Sequence, residues 1–322
     1  RSPSAWCSTA SRGRTFACAS STTSCRAAIT QYRENIGILN PAALPTDYLL
    51  YEHPLSFGAS YRVQWADFEN SPKTQTFHGD YVLSNGNAFS LITGGHLIND
   101  QTGPTGFTGV YGRIGGMFTD DPYYGGFSAA LTFGMVQYRV KGSDIRLREL
   151  NDILSGRDHT QLFPDVGLGV YYYHLISGGF LDDSHVYGGL SIPQVFGLDL
   201  QFEDENGEFS TERIRHYYAM AGLMKYFDNG GFLEPSVWVK YAESAPVNVD
   251  FNLRYMMTEG FWLGAGGSSA KSIHLELGFL MGENIGADNN LKIGYGFDYF
   301  FSDFGPSTGG THEINVSYSI GQ

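Results

Sequence analysis

Val247-Asn248-Val249-Asp250-Phe251-Asn252-Leu253-Arg254-Tyr255 alternates without a break between apolar and polar side chains. A period of two is the strand period, because successive side chains of an extended chain point to opposite faces. The pattern recurs downstream. Ile273, Leu275, Leu277, Phe279 and Met281 alternate with His274, Glu276 and Gly278, and Ile293, Tyr295, Phe297 and Tyr299 alternate with Gly294, Gly296 and Asp298. Ile314, Val316, Tyr318 and Ile320 alternate with Asn315, Ser317 and Ser319. Upstream, Phe127, Ala129, Leu131, Phe133 and Met135 oppose Ser128, Ala130, Thr132 and Gly134. One face of each strand is greasy, and the other is small, polar or charged.

Such alternation also fits a soluble sandwich whose greasy faces meet in a core. Two features favour a barrel in a membrane. The apolar faces carry Tyr and Phe near strand ends, as an interfacial aromatic girdle does. The opposite faces are rich in Gly, Ser and Asn with isolated charges, which suits a wet, crowded lumen better than a Lys/Glu surface. The sequence therefore predicts an all-β protein, an antiparallel transmembrane β-barrel of about 14 strands. They are expected near 55–66, 74–83, 87–96, 105–115, 124–138, 163–175, 185–191, 213–226, 231–241, 247–256, 260–267, 271–281, 290–300 and 312–320.

Parity supports this count. With both termini in the periplasm, connections after odd strands are external. The two longest gaps, 139–162 and 192–212, follow the fifth and seventh strands. The tight turns at Ser84-Asn85-Gly86-Asn87 and Asp228-Asn229-Gly230-Gly231 follow even strands. Long outer loops and short periplasmic turns are the expected asymmetry. Inside the first long loop, 143–156 has apolar residues at helical spacing behind Ser143, which predicts a short helix.

Composition agrees. The 322 residues include 42 Gly, 21 Tyr and 23 Phe, with only 16% charged side chains. This excludes coiled coils and Lys/Glu-rich helical proteins. No apolar run reaches the roughly 18 residues of a membrane-crossing helix. Residues 1–30 hold four arginines, no acid and all three cysteines (Cys7, Cys18, Cys25). They lack the apolar core of a signal peptide. They are read as an atypical leader, disordered or not native, ahead of a barrel spanning 31–322. That body carries 16 basic against 33 acidic groups, a formal −17, which opposes nucleic-acid binding.

Several segments together resemble the PorP/SprF family of outer-membrane proteins of the type IX secretion system and gliding motility machinery. The carrying residues are Asn40-Pro41-Ala42, then Tyr61-Arg62-Val63-Gln64-Trp65, then Pro72-Lys73-Thr74-Gln75-Thr76-Phe77. Asn99-Asp100 with Gly103-Pro104-Thr105 follow, then Phe163-Pro164, Gly167–Tyr173, Gly189–Pro193, Glu234-Pro235-Ser236, Ala245-Pro246-Val247 and Phe261–Gly264. Gly294–Tyr299 and His312-Glu313-Ile314 close the series. The terminal strand departs from many outer-membrane barrels in ending without an aromatic residue. The resemblance implies a non-enzymatic barrel in the outer membrane of a Gram-negative bacterium. Its partners would be membrane lipid, secreted adhesin cargo and other secretion components. It would support secretion or surface anchoring of that cargo through protein contacts, and no cofactor is implied.

The residues themselves leave two readings of the interior open. Arg62 and Gln64, together with Asp250, Arg254, His274, Glu276, Lys292, Asp298 and Glu313, should face the lumen. They either select a solute, as in a porin for small solutes, or fill the interior as cross-strand pairs. The second reading has more weight. Lys73, placed with Thr74, Gln75 and Thr76 in the turn after the first strand, is a candidate partner contact or a locally bonded loop residue. Asp183-Ser184-His185 is contiguous, whereas a catalytic triad is assembled from separated positions. The acidic run 203–208 lacks EF-hand spacing and reads as a solvated loop.

Overall fold

In the computed structural model, residues 29–84, 88–141, 158–196, 199–204, 207–212, 214–243, 245–257, 260–282, 285–301 and 307–321 are described. The leader apart from Ile29 and Thr30, the helix expected over 143–156 and the tip of the turn at 85–87 lie outside these residues.

The period-two segments form strands. In chain order they are β1 (Leu55–Gln64), β2 (Lys73–Ser84), β3 (Phe89–Thr102), β4 (Thr105–Phe118), β5 (Gly125–Lys141), β6 (Asp158–Ile176) and β7 (Ser184–Ile192). Then come β8 (Asp199–Asp204), β9 (Gly207–Glu212), β10 (His216–Tyr226), β11 (Phe232–Ala242), β12 (Asn248–Met256), β13 (Phe261–Ser268), β14 (Ser272–Met281), β15 (Asn289–Phe300) and β16 (Thr311–Ile320). All but β8 and β9 close one antiparallel barrel, with β16 returning to pair with β1. Fourteen strands leave no free edge in that sheet, so every ladder group inside a membrane is satisfied between strands. The structure adds to the sequence reading a separate hairpin, β8–β9, within the long connection after β7.

Some strands extend beyond their expected ends. β3 runs on to Thr102, and β6 begins at Asp158. Both extensions carry polar residues on both faces, so they have no hydrophobic period to read. Thr74, Gln75 and Thr76 likewise belong to β2 and not to a turn, and Lys73 is its exposed first residue.

Cross-strand register draws the membrane boundaries. Phe89, Phe118, Phe127 and Tyr172 are paired neighbours in one row, all exposed on the outer wall. On β2 to β5, Phe77, Leu97, Val110 and Met135 form a second apolar row, and the next row is Gln75, Asn99, Thr108 and Gln137. Along β3, the distance from Phe89 to Asn99 at the usual rise and tilt is roughly 25 Å, the height of a barrel's lipid-facing band. Phe251, Leu253, Leu275 and Leu277 also face outward and are exposed.

The apolar core is inside the barrel. Residues 29–54 form no strand and sit in the lumen as two short helices, α1 (Ile36–Leu39) and α2 (Thr46–Tyr51), with their connections. Ile36, Leu39, Ala42, Ala43 and Leu44 pack against Tyr171, Tyr173, Tyr187, Met220, Met224 and Trp238 of the wall. The interior is therefore not the wet channel that its Gly, Ser and Asn suggested. Large inward aromatics and the N-terminal segment fill it, and the inward glycines leave them room.

Candidate functional site

The lumenal segment is held to the wall by charge as well as by packing. At its start, the backbone N–H groups of Thr30 and Gln31 donate to the Glu313 carboxylate at 2.8 and 3.2 Å. Thr30 Oγ1 donates to Asp298 at 2.8 Å. Arg62 ties these together, 2.6 Å from Asp298 and 3.2 Å from Glu313, and donates to the Thr30 hydroxyl as well. Two predicted interior acids and one predicted interior base thus converge on one turn of the inserted segment.

Tyr32 stacks on Trp238 with centroids 5.0 Å apart, and its hydroxyl donates to Asp250. Lys240 completes that group, 2.5 Å from Asp250. Burial, followed by the Asp250 charge, holds the Tyr32 phenol well above its ordinary pKa. Arg33 lies 3.1 Å from Glu234 and 4.8 Å from the centre of the Tyr187 ring, a cation–π arrangement, while Tyr187 donates to the same Glu234 at 2.7 Å. Glu34 sits 3.0 Å from Arg254 and 2.7 Å from Lys292, and Lys292 also reaches Asp47 of α2 at 3.1 Å. Burial alone would push the Glu34 carboxyl up. The charges of Lys292 and Arg254 outweigh it and hold the group well below the usual carboxylate range.

From Asn35 to Ala43 the groups that the segment itself contributes are neutral. Asn35 bonds Ser60, and Thr76 donates to its carbonyl. Asn40, the predicted motif residue, closes an Asx turn by accepting from Ala42 N–H at 2.9 Å. Its amide donates to the Val170 carbonyl of β6 at 3.0 Å. Wall glycines make this approach possible: a Cβ on Gly169 would stand 2.1 Å from Asn40 Oδ1 and 2.8 Å from Pro41. Arg113 donates to the Ala43 carbonyl at 2.6 Å and pairs with Asp80 at 2.8 Å. Ser128 and Ser191 donate to the carbonyls of Ala42 and Leu39.

Of the predicted interior residues, Asp250, Arg254, Lys292, Asp298, Arg62 and Glu313 all lie on the inner face within these contacts. His274 meets Tyr32 edge-on at 6.4 Å, Glu276 lies over Gly264, and Gln64 is half-buried at the end of β1. The cross-strand reading is incomplete, because the main counter-charges come from residues 33, 34 and 47. Sequence reasoning missed Arg33, Glu34 and Asp47 as partners, along with Glu234, Lys240 and Arg113 on the wall. The available signal was a stretch of more than twenty residues before β1 that had no strand period yet contained Tyr32-Arg33-Glu34-Asn35.

The other motif residues gather at one rim, where β1 and β3 end and β2 and β16 begin. Thr74 donates to Asp100 at 2.6 Å on the inner face. On the outer face Asn99 donates to Gln75 at 3.3 Å and accepts from Thr108 at 2.8 Å. Gly103, with φ 57°, and Pro104 make the tight β3–β4 turn. Tyr61 and Trp65 are exposed on the outer wall, where Trp65, with φ 57°, ends β1. His312 faces outward and bonds the Tyr295 hydroxyl at 2.6 Å. His185 bonds the Tyr123 carbonyl at 2.8 Å, and Asp183 occupies a turn with φ 55°. The hydrogen bond that His185 makes thus goes to a backbone carbonyl and not to Asp183 or Ser184 beside it. No group of His, Cys, Asp and Glu suited to a metal ion occurs among the described residues.

Comparison with known proteins sharpens this picture. The barrel is similar to solved outer-membrane channels. The TodX deltaS2S3 mutant monoaromatic hydrocarbon channel matches with TM-score 0.55 and 11% identity, over 89% of this chain and 94% of that one. The Pseudomonas putida toluene transporter TodX matches with TM-score 0.51 and 8% identity, over 88% and 96%. At such identity the likeness is one of fold. A search of curated proteins gives no match. The family model described as type IX secretion system membrane protein PorP/SprF matches residues 22–318. With that match covering almost the whole barrel and its lumenal segment, this chain belongs to the PorP/SprF family of type IX secretion system membrane proteins.

Proposed function

We propose that this protein is a non-enzymatic outer-membrane barrel of the type IX secretion system that supports secretion or surface anchoring of large adhesin-type cargo through protein contacts. Family membership supports the secretion role. The contact mechanism rests on one observation, the lumen occupied by residues 29–54, which meet the wall's charges in buried ion pairs and pack against its inward aromatics. Contacts then fall to the rims. The connection after β7, which carries the β8–β9 hairpin, is the surface offered to cargo on the external side, and the short even-strand turns are offered to periplasmic components.

The alternative, an outer-membrane channel for small solutes, requires the lumenal charges to meet solvent, and in this fold they meet Thr30, Arg33, Glu34 and Asp47 instead. Planar-bilayer recording separates the two readings. The reconstituted barrel is expected to be electrically silent, and a steady open-pore conductance would overturn the contact mechanism. Co-purification from native membranes in mild detergent should bring down secretion components; a barrel that emerges alone argues against the assigned role.

A further inference from the structure

The lipid-facing wall is not evenly covered. Around most of it, bulky side chains such as Phe77, Leu97, Val110 and Phe133 stand out from the strands. Over β7, β10 and β11 several are replaced by smaller ones, although Leu190 still stands out from β7. Gly188, Ala221 and Val237 are paired neighbours in one outward row, and Leu190, Ala219 and Val239 in the next. Beside the second row, small residues such as Ala129, Gly169 and Ala219 line a depression of about 810 Å³ bordered by Leu131, Leu168 and Leu190. It shares Ala219 and Val239 with a second hollow below it, which in turn shares Ala221 and Val237 with a third. Together they make a continuous furrow within the apolar band.

Three observations define what would fill it. The furrow opens onto the face already covered by the bilayer. Its floor strands are hydrogen-bonded to one another through both rows, so the floor offers no backbone groups to an incoming peptide and suits an occupant with no polar groups along its length. At the outer end Tyr217 and Tyr241 are paired, with ring centroids 5.9 Å apart, and exposed Arg215 lies just beyond them. Tyrosines at the interface followed by a cation match the ester and anionic head of a lipid.

We propose that this furrow is a binding site for one acyl chain of an anionic lipid of the outer leaflet, with its head group at Arg215. The site is independent of what the barrel exports. Native mass spectrometry of the full chain, extracted from its own membrane in mild detergent, tests it. The wild type should retain one lipid per barrel. Gly188→Leu with Ala219→Leu fills the floor from the lipid side, and retention should fall about tenfold as the shape complementarity is lost. Heat-dependent gel migration confirms that the variant barrel is folded. Arg215→Gln should keep the lipid but shift retention from anionic toward zwitterionic species. A lipid-free wild type, equal retention in the filled variant, or loss of a co-purifying protein in place of lipid would each overturn the proposal.

Discussion

Glu34 is the residue on which the lumenal segment most depends, because it carries one negative charge between two buried cations. Its folded pKa lies below the unfolded one. Its contribution is therefore fully present above the ordinary Glu range near pH ~4.3 and is lost only as pH falls through the lower folded value. The Glu34 ion pairs should thus hold down to about pH 4, and an effect of Glu34→Gln on the unfolding midpoint that vanishes as soon as ordinary carboxylates protonate would contradict this. Glu34→Gln leaves Arg254 and Lys292 short of a carboxylate, and breaking such a buried pair costs about 3–5 kcal/mol. The expected outcome is a lowered unfolding midpoint with intermittent channel openings at neutral pH. Gly169→Val tests the neutral side of the anchor. Its Cβ would collide with Asn40, and overpacking of this kind costs about 1–3 kcal/mol, which denaturant unfolding would detect. The alternation that placed Arg254 and Lys292 on an inner face says nothing about Glu34, because their attachment lies more than 200 residues away in the chain.

At the scale of elements, strands were legible wherever one face meets lipid and the other does not. Val249 to Tyr255 and Ile273 to Met281 could be assigned from period alone, and their registers follow. The outer parts of β3 and β6 could not, since Asn99-Asp100-Gln101 and Asp158-His159-Thr160 are polar on both faces. The β8–β9 hairpin, which pairs only with itself, escaped for another reason: Leu200 and Phe202 alternate with Gln201 and Glu203, but the run is short and leads into the acidic segment 203–208 that reads as a loop. A hairpin outside the barrel's ladders contributes nothing to its closure, so a deletion joining β7 to β10 through a short linker should leave insertion and heat-dependent migration unchanged. Surface labelling of the adhesin in that strain is expected to fall sharply. Normal display would remove this connection from the cargo contact.

For the whole molecule, barrel and lumenal segment are separable in principle, because the fourteen strands pair with one another in a closed ladder and none of them pairs with residues 29–44. Deleting 29–44 should give a barrel that still inserts, loses thermal stability and conducts steadily in planar bilayers. A silent deletion variant would mean that the wall collapses inward or that other loops close it. The sequence alone determined the closed, even-stranded, lipid-facing cylinder. Alternation is a local property, and a one-residue slip would turn every greasy side chain inward. Only the tertiary structure decided what occupies the cylinder. Residues 29–54 have no period of their own, and their positions are set by charges and glycine hollows contributed by strands far along the chain.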